Sequence, residues 1–172
     1  MTVIKTHGPL SLVETVTCPS AGVCANALST RAVSARRSAA REPSTNEAWD
    51  GWWGSEPPYH APVFVLTHHA IEPIEMEGGT TFHFVTEGFD AAYGQALETA
   101  DGNGVDIAGG ASTVRQALNA GVIDELTLDI APVLLGSGER MFDGVEAFGF
   151  EPVEVLDSPL TTHIRYRRRS AA

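Results

Sequence analysis

Residues 105–118 read "VDIAGGASTVRQAL". A short apolar run, Val105 to Ala108, meets two glycines, and a helical pattern starts at once. Val114, Ala117 and Leu118 form one apolar stripe, and Gly121 stands where a C-terminal cap belongs. A strand that hands over to a helix through Gly-Gly leaves backbone N–H groups free at the helix start. Those donors and the positive end of the helix dipole together suit an anion. Gly109 and Gly110 have no side chain, so a phosphate can come close to the main chain. Ala111 follows, and Ser112 and Thr113 place hydroxyls in the first turn, where they can cap the helix or donate to the same anion. The ligand this arrangement suggests is a dinucleotide pyrophosphate. A tight turn without a ligand is the alternative, because the run is neither a full G-x-G-x-x-G nor followed by Gly-Lys-Ser/Thr.

The flanking sequence extends the strand–helix alternation. "PVFVLTH" (62–68) reads as a buried strand bounded by prolines, and "TFHFVT" (81–86) as a second strand. "FDAAYGQALETA" (89–100) sets Phe89, Ala92, Tyr93, Ala96, Leu97 and Ala100 on one helical face, and "GNG" (102–104) ends that helix. "ELTLDIAPVLLG" (125–136) reads as a long strand. "PVEVLDS" and "LTTHIRYR", joined around Ser158-Pro159, read as a C-terminal hairpin. This is an α/β pattern. It predicts a mostly parallel sheet with helices on both faces and an antiparallel edge.

The 172 residues suggest one domain, and an apolar content of 43% is enough for a core. No apolar run is long enough for a membrane helix, and "MTVIKTHGPL" lacks the pattern of a signal peptide, so the expected compartment is the cytoplasm. Cys18 and Cys24 have no partners at metal spacing, and no metal site is expected. The net charge of −11 is uneven. Residues 1–46 carry five basic and two acidic side chains, and the remainder six basic and twenty acidic. Such an acidic body repels nucleic acid and anionic membrane. The "RYRRR" at 165–169 reads as a solvated tail.

"VFVLTHHA", "GGTTFHFVTEGFDAAYGQAL", "VDIAGGASTVRQALNAGVIDELTLDIAPVLLGSGERMF" and "THIRYR" together resemble the riboflavin-biosynthesis reductase domain family, of dihydrofolate-reductase-like fold. The resemblance covers roughly residues 47–168, with 169–172 a tail. It implies a three-layer α/β/α fold around a mixed, mostly parallel sheet. It further implies NADPH as cofactor and hydride transfer to a small heterocyclic or related substrate. Gly109, Gly110, Ala111, Ser112 and Thr113 match the loop that cradles the cofactor pyrophosphate. Thr67 and His68 match the place where the family meets the adenosine 2′-phosphate, and a hydroxyl with a chargeable imidazole suits a phosphate. Asp124 and Glu125 read as solvated turn residues, and His163 as structural. A homodimer is the oligomer kept open.

Two departures limit the resemblance. The family commonly has a glutamate directly before the Gly-Gly pair that helps hold the substrate, whereas Ala108 stands here. Alanine offers no side-chain hydrogen bond or charge. This argues against the ribosylaminopyrimidine of the riboflavin pathway. It favours the looser group of dihydrofolate-reductase-like bacterial proteins whose substrates the sequence does not fix. Residues 1–46 also lack the family's opening motifs. They are rich in Ala, Ser and Arg, hold one strand-like run, "LSLVETV" (10–16), and read as poorly ordered. A divergent N-terminus and a shifted reading frame both produce that change. No catalytic residue is assigned. The reading is an NADPH-dependent reductase, and the alternative is a vestigial NADP-binding domain that keeps only the cofactor half of the site.

Overall fold

A crossover helix fixes the direction of the strands at its two ends and says nothing about what lies between them. That distinction shapes this fold. The computed structural model describes residues 2–5, 26–29, 54–57, 59–134, 136–146 and 149–169. Its strands are β1 (Thr2–Lys5), β2 (Asn26–Ser29), β3 (Pro62–Leu66), β4 (Ile74–Glu75), β5 (Thr81–Val85), β6 (Asp106–Gly109), β7 (Glu125–Ile130), β8 (Phe150–Ser158) and β9 (Thr161–Arg168). The helices are α1 (Phe89–Ala100) and α2 (Ala111–Asn119). One sheet contains all the strands in the order β4-β5-β3-β2-β6-β1-β7-β9-β8.

β3 and β5 pair in parallel. β2 runs antiparallel to both β3 and β6, and β1 antiparallel to both β6 and β7. The four strands of the strand–helix alternation, β3, β5, β6 and β7, therefore all point one way, as expected. They are not mutual neighbours, however. β2 and β1 are wedged between them in the opposite sense, so a mostly parallel sheet is not what forms. β3–β5 is the one parallel pair among the described residues.

α1 crosses from β5 to β6 and α2 from β6 to β7. Both crossovers advance across the sheet in the same direction, so both helices pack on one face. There Phe64, Val85, Ile107 and Leu126 meet Phe89, Ala92, Ala96 and Ala100 of α1 and Val114, Ala117 and Leu118 of α2. The alanines let α1 lie close to the strands. Leu97, expected on the buried stripe, is 44% exposed. Strand alternation sends Val63 and Val65 to the opposite face. A second cluster forms there with Tyr59 and Phe82, flanked by Met76 and Phe84. Tyr59 comes to it from the segment before β3, and Met76 from the link between β4 and a 3-10 turn, Glu77–Gly79. Among the described residues the helices thus form one layer, where a layer on each face was expected.

The helix ends follow local chemistry. Gly121, at φ +67, donates its N–H to Leu118 O at 3.0 Å, and Val122 donates to Ala117 O at 3.3 Å. This paired C-terminal cap satisfies two carbonyls that α2 would otherwise leave open. β7 stops at Ile130, short of the expected 136, and Pro132, which has no N–H to donate, follows. The hairpin forms where expected. Ser158 Oγ donates to Thr161 O at 2.8 Å and accepts from Thr161 N at 3.1 Å.

Arg165 to Arg168 belong to β9 and are not a solvated tail. Arg165 lies 3.2 Å from Glu154 and 4.0 Å from Glu125, Arg167 lies 3.4 Å from Glu125, and Arg168 donates to Gly121 O. Glu125 is likewise a strand residue held by arginines. β1 and β2 have no counterpart in the sequence reading. The strand-like run 10–16 and both cysteines lie outside the described residues.

Candidate functional site

β2 fixes the geometry of the site. Leu66, the last residue of β3, pairs with Asn26 and with Val85, the last residue of β5. Gly109, the last residue of β6, pairs with Ala27. The carboxyl ends of β5, β3 and β6 therefore reach the same edge of the sheet. β3 and β6 are separated there by one strand, about 10 Å at the usual strand spacing. Open α/β sheets bind ligands in the crevice outside such carboxyl ends. Thr67 and His68 follow β3, and Gly109 to Thr113 span the end of β6 and the start of α2. The structure thus brings both groups of sequence-predicted residues to one edge.

The turn into α2 is built by its glycines. Gly109 has φ +115, a conformation side chains rarely adopt, and the Gly109–Gly110 peptide is cis. A Cβ on Gly109 would meet no atom of the described residues within 4 Å. Gly110 is the N-cap residue, and its carbonyl accepts from Val114 N at 3.0 Å. Among the described residues no side chain caps α2. Ser112 and Thr113 therefore do not fill the capping role that sequence allowed them. The first-turn N–H groups have no partner within the helix. Thr113 is fully buried, and its Oγ1 has no hydrogen-bond partner among the described residues.

At the end of β3, Thr67 N donates to Val85 O at 3.1 Å, which continues the ladder by one bond. Thr67 Oγ1 accepts from His69 N at 3.1 Å and closes a small turn. His68 and His69 are exposed on that turn.

Two acids escaped the sequence reading. Asp106 is 7% exposed, and strand alternation puts it with Ala108 on the face opposite the helices. Asp129, near the end of β7, has a side chain only 2% exposed, and its Oδ1 lies 2.6 Å from His163 Nδ1. The signal was present in "VDIA" and "LTLDIA", each an acid inside an apolar strand run. His163, expected to be structural, pairs with Asp129 across the β7–β9 ladder. Among the described residues no group of His, Cys, Asp and Glu is placed to hold a metal ion, and no helix is long and apolar enough to cross a membrane.

The RibD C-terminal domain family matches residues 44–158. The chain belongs to that family. The RibD C-terminal domain is a reductase-like domain of riboflavin biosynthesis, and the match takes in β3 to β8, both helices and the glycine turn. No curated protein matches the chain. Among solved structures, it is similar to a crystal structure from Shewanella sp. PV-4 described as a candidate riboflavin biosynthesis protein. The identity is 23% and the TM-score 0.50, with 66% of this chain and 63% of that one covered. That likeness concerns the fold alone.

Proposed function

We propose that this RibD C-terminal domain is an NADPH-dependent reductase acting on a small heterocyclic or related substrate. The observation that carries the reading is the meeting of two phosphate-suited groups on one sheet edge. A glycine turn with uncapped helix donors lies one strand away from a threonine–histidine turn. The residues fit the cofactor. Among the described residues nothing lies within 4 Å of where a Gly109 Cβ would stand, and the buried Thr113 hydroxyl in the first turn of α2 has no hydrogen-bond partner.

In this reading the first-turn N–H groups of α2 hold the pyrophosphate, aided by the helix dipole. The Thr67 hydroxyl, whose oxygen already accepts from His69, keeps its proton to donate to the 2′-phosphate. His68 adds a second donor. A separation of about 10 Å is one that a ribose and its phosphates can bridge. NADPH, when bound, supplies the hydride, and the chain's part is to orient it and its substrate.

Ala108 favours a second reading, a vestigial domain that binds the cofactor and reduces nothing. It is half-buried on β6 at the position where the family's substrate-holding glutamate stands. NADPH titration, followed by NADPH oxidation with pterins, iminopyrimidines and carbonyl compounds, separates the two. Binding with turnover of one class supports the reductase. Binding without any turnover supports the vestigial domain. No binding overturns both.

A further inference from the structure

Three strand ends follow one another at even intervals along the carboxyl edge of the sheet. β3 and β6 are two strands apart, and β7 lies two strands beyond β6. Ile4 of β1 faces Ile107 on one side and Leu126 on the other, which sets Gly109 level with Leu128 and Asp129 one residue beyond. Asp129 therefore stands at the same edge as the glycine turn, about 10 Å from the end of β6 at the usual strand spacing. Leu126 and Leu128 pack with the helices, so alternation turns Asp129 to the other face, the one that carries Ala108. The helix face is filled there, where Val114 and Leu118 share a core with Ile107 and Leu126. His163 faces Asp129 from β9, and the two side chains meet at 2.6 Å through Nδ1 and Oδ1. The carboxylate is 2% exposed and the imidazole 29%, so the acid is sunken and the imidazole reaches the surface.

We propose that His163, held by Asp129, is the proton donor of this site. The inference rests on the NADPH reading and carries it further along the edge. A dinucleotide has one nucleoside on each side of its pyrophosphate. With the adenosine half laid from the Thr67–His68 turn to the glycine turn, the nicotinamide half has a similar reach. It crosses the next two strands and ends beside β7. Reduction of a C=N or C=O bond needs a hydride on carbon and a proton on nitrogen or oxygen. The hydride comes from the cofactor. As the new C–H bond forms, the π pair moves to the heteroatom and takes the proton from His163 Nε2. The N–H electron pair stays on the imidazole, and water returns a proton to it. Asp129 is a positioning residue. Its hydrogen bond at Nδ1 fixes the orientation of the ring and decides which nitrogen faces the substrate. Asp106 shares the face but lies three residues back from Gly109, about 10 Å from the edge, too far to serve.

Histidine NMR of the full chain tests the placement without turnover. The chain has six histidines, and the ring signals of His68 and His163 are assigned by their loss in His68→Ala and His163→Gln. Adenosine 2′,5′-bisphosphate, which lacks the nicotinamide half, should shift His68 and leave His163 unmoved. NADP+ should shift both. NADP+ that moves His68 alone overturns the inference and leaves the cofactor reading standing. If the bisphosphate moves His163 as well, the signal does not report the nicotinamide half, and the inference falls. If neither nucleotide binds, the cofactor reading falls and takes the inference with it. NADPH oxidation with pterins, iminopyrimidines and carbonyl compounds then tests the proton. Glutamine keeps an N–H for Asp129, so His163→Gln should fold, and a melting curve checks this. Its kcat should fall at least about a hundredfold while its affinity for NADPH stays that of the parent. Unchanged kcat overturns the donor role, as does a parent that binds NADPH and reduces none of the three classes.

Discussion

Leu66 and Gly109 face successive residues of a single strand, Asn26 and Ala27 of β2. The ends of two strands far apart in sequence are therefore held side by side by a strand that contributes no predicted site residue. The pairing sets the spacing between the Thr67–His68 turn and the Gly109–Thr113 turn. If the two turns bind one cofactor as proposed, damage at either end should show in cofactor binding.

Gly110→Asp tests the α2 end. The backbone at Gly110 has φ −73, which any residue can adopt, and aspartate is a good N-cap residue. The carboxylate would stand where the pyrophosphate is expected, adding bulk and like charge. NADPH affinity should fall by more than about tenfold, or about 1.4 kcal/mol. Fluorescence titration measures this, with a melting curve to show that the variant folds. A folded variant of unchanged affinity would place the phosphate elsewhere.

His68→Ala and Thr67→Ala test the other end. NADPH and NADH differ by the 2′-phosphate alone, so the loss should fall on NADPH. The parent should prefer NADPH, and each variant should lose part of that preference while NADH affinity stays within about twofold. Thr67→Ala also removes the acceptor for His69 N, so its effect should be the larger. A parent that binds both cofactors equally would remove these residues from the site.

The sequence showed the elements whose cause is local. α1 occupies the 89–100 span of its apolar stripe, α2 starts directly after Gly110, and β8 and β9 turn at Ser158-Pro159. Gly121 caps α2 because that position needs a positive φ, which glycine adopts freely. What stayed hidden has a non-local cause. "TVIK" and "NALS" are too short to show a period, and they become strands by completing ladders on both sides. Their antiparallel sense cannot be read from a strand–helix alternation that starts after them. The Asp129–His163 pair is hidden for the same reason, since its partners lie 34 residues apart and meet through the β7–β9 register. The two turns of the candidate site were legible separately, and their distance was not.

The antiparallel wedge makes a prediction of its own. Ile4 of β1 pairs with Ile107 on one side and Leu126 on the other, in the middle of the sheet. Ile107 is fully buried and Leu126 is 4% exposed, so water can hardly replace a lost ladder bond there. Ile4→Pro removes one backbone donor and leaves a neighbouring carbonyl unsatisfied, at a cost of about 1–3 kcal/mol. In a chain of this size each kcal/mol lowers Tm by about 2–4 °C, so melting should fall by several degrees. Leu28→Pro in β2 should act likewise, because Leu28 pairs with Phe64 and Ile107. It should also weaken NADPH binding, since β2 holds the two halves of the site together and β1 does not. Circular dichroism melts and cofactor titrations of both variants decide this. If Ile4→Pro melts with the parent, residues 2–5 do not fill the slot between β6 and β7, and the direct β6–β7 parallel pairing implied by the strand–helix alternation becomes the better description.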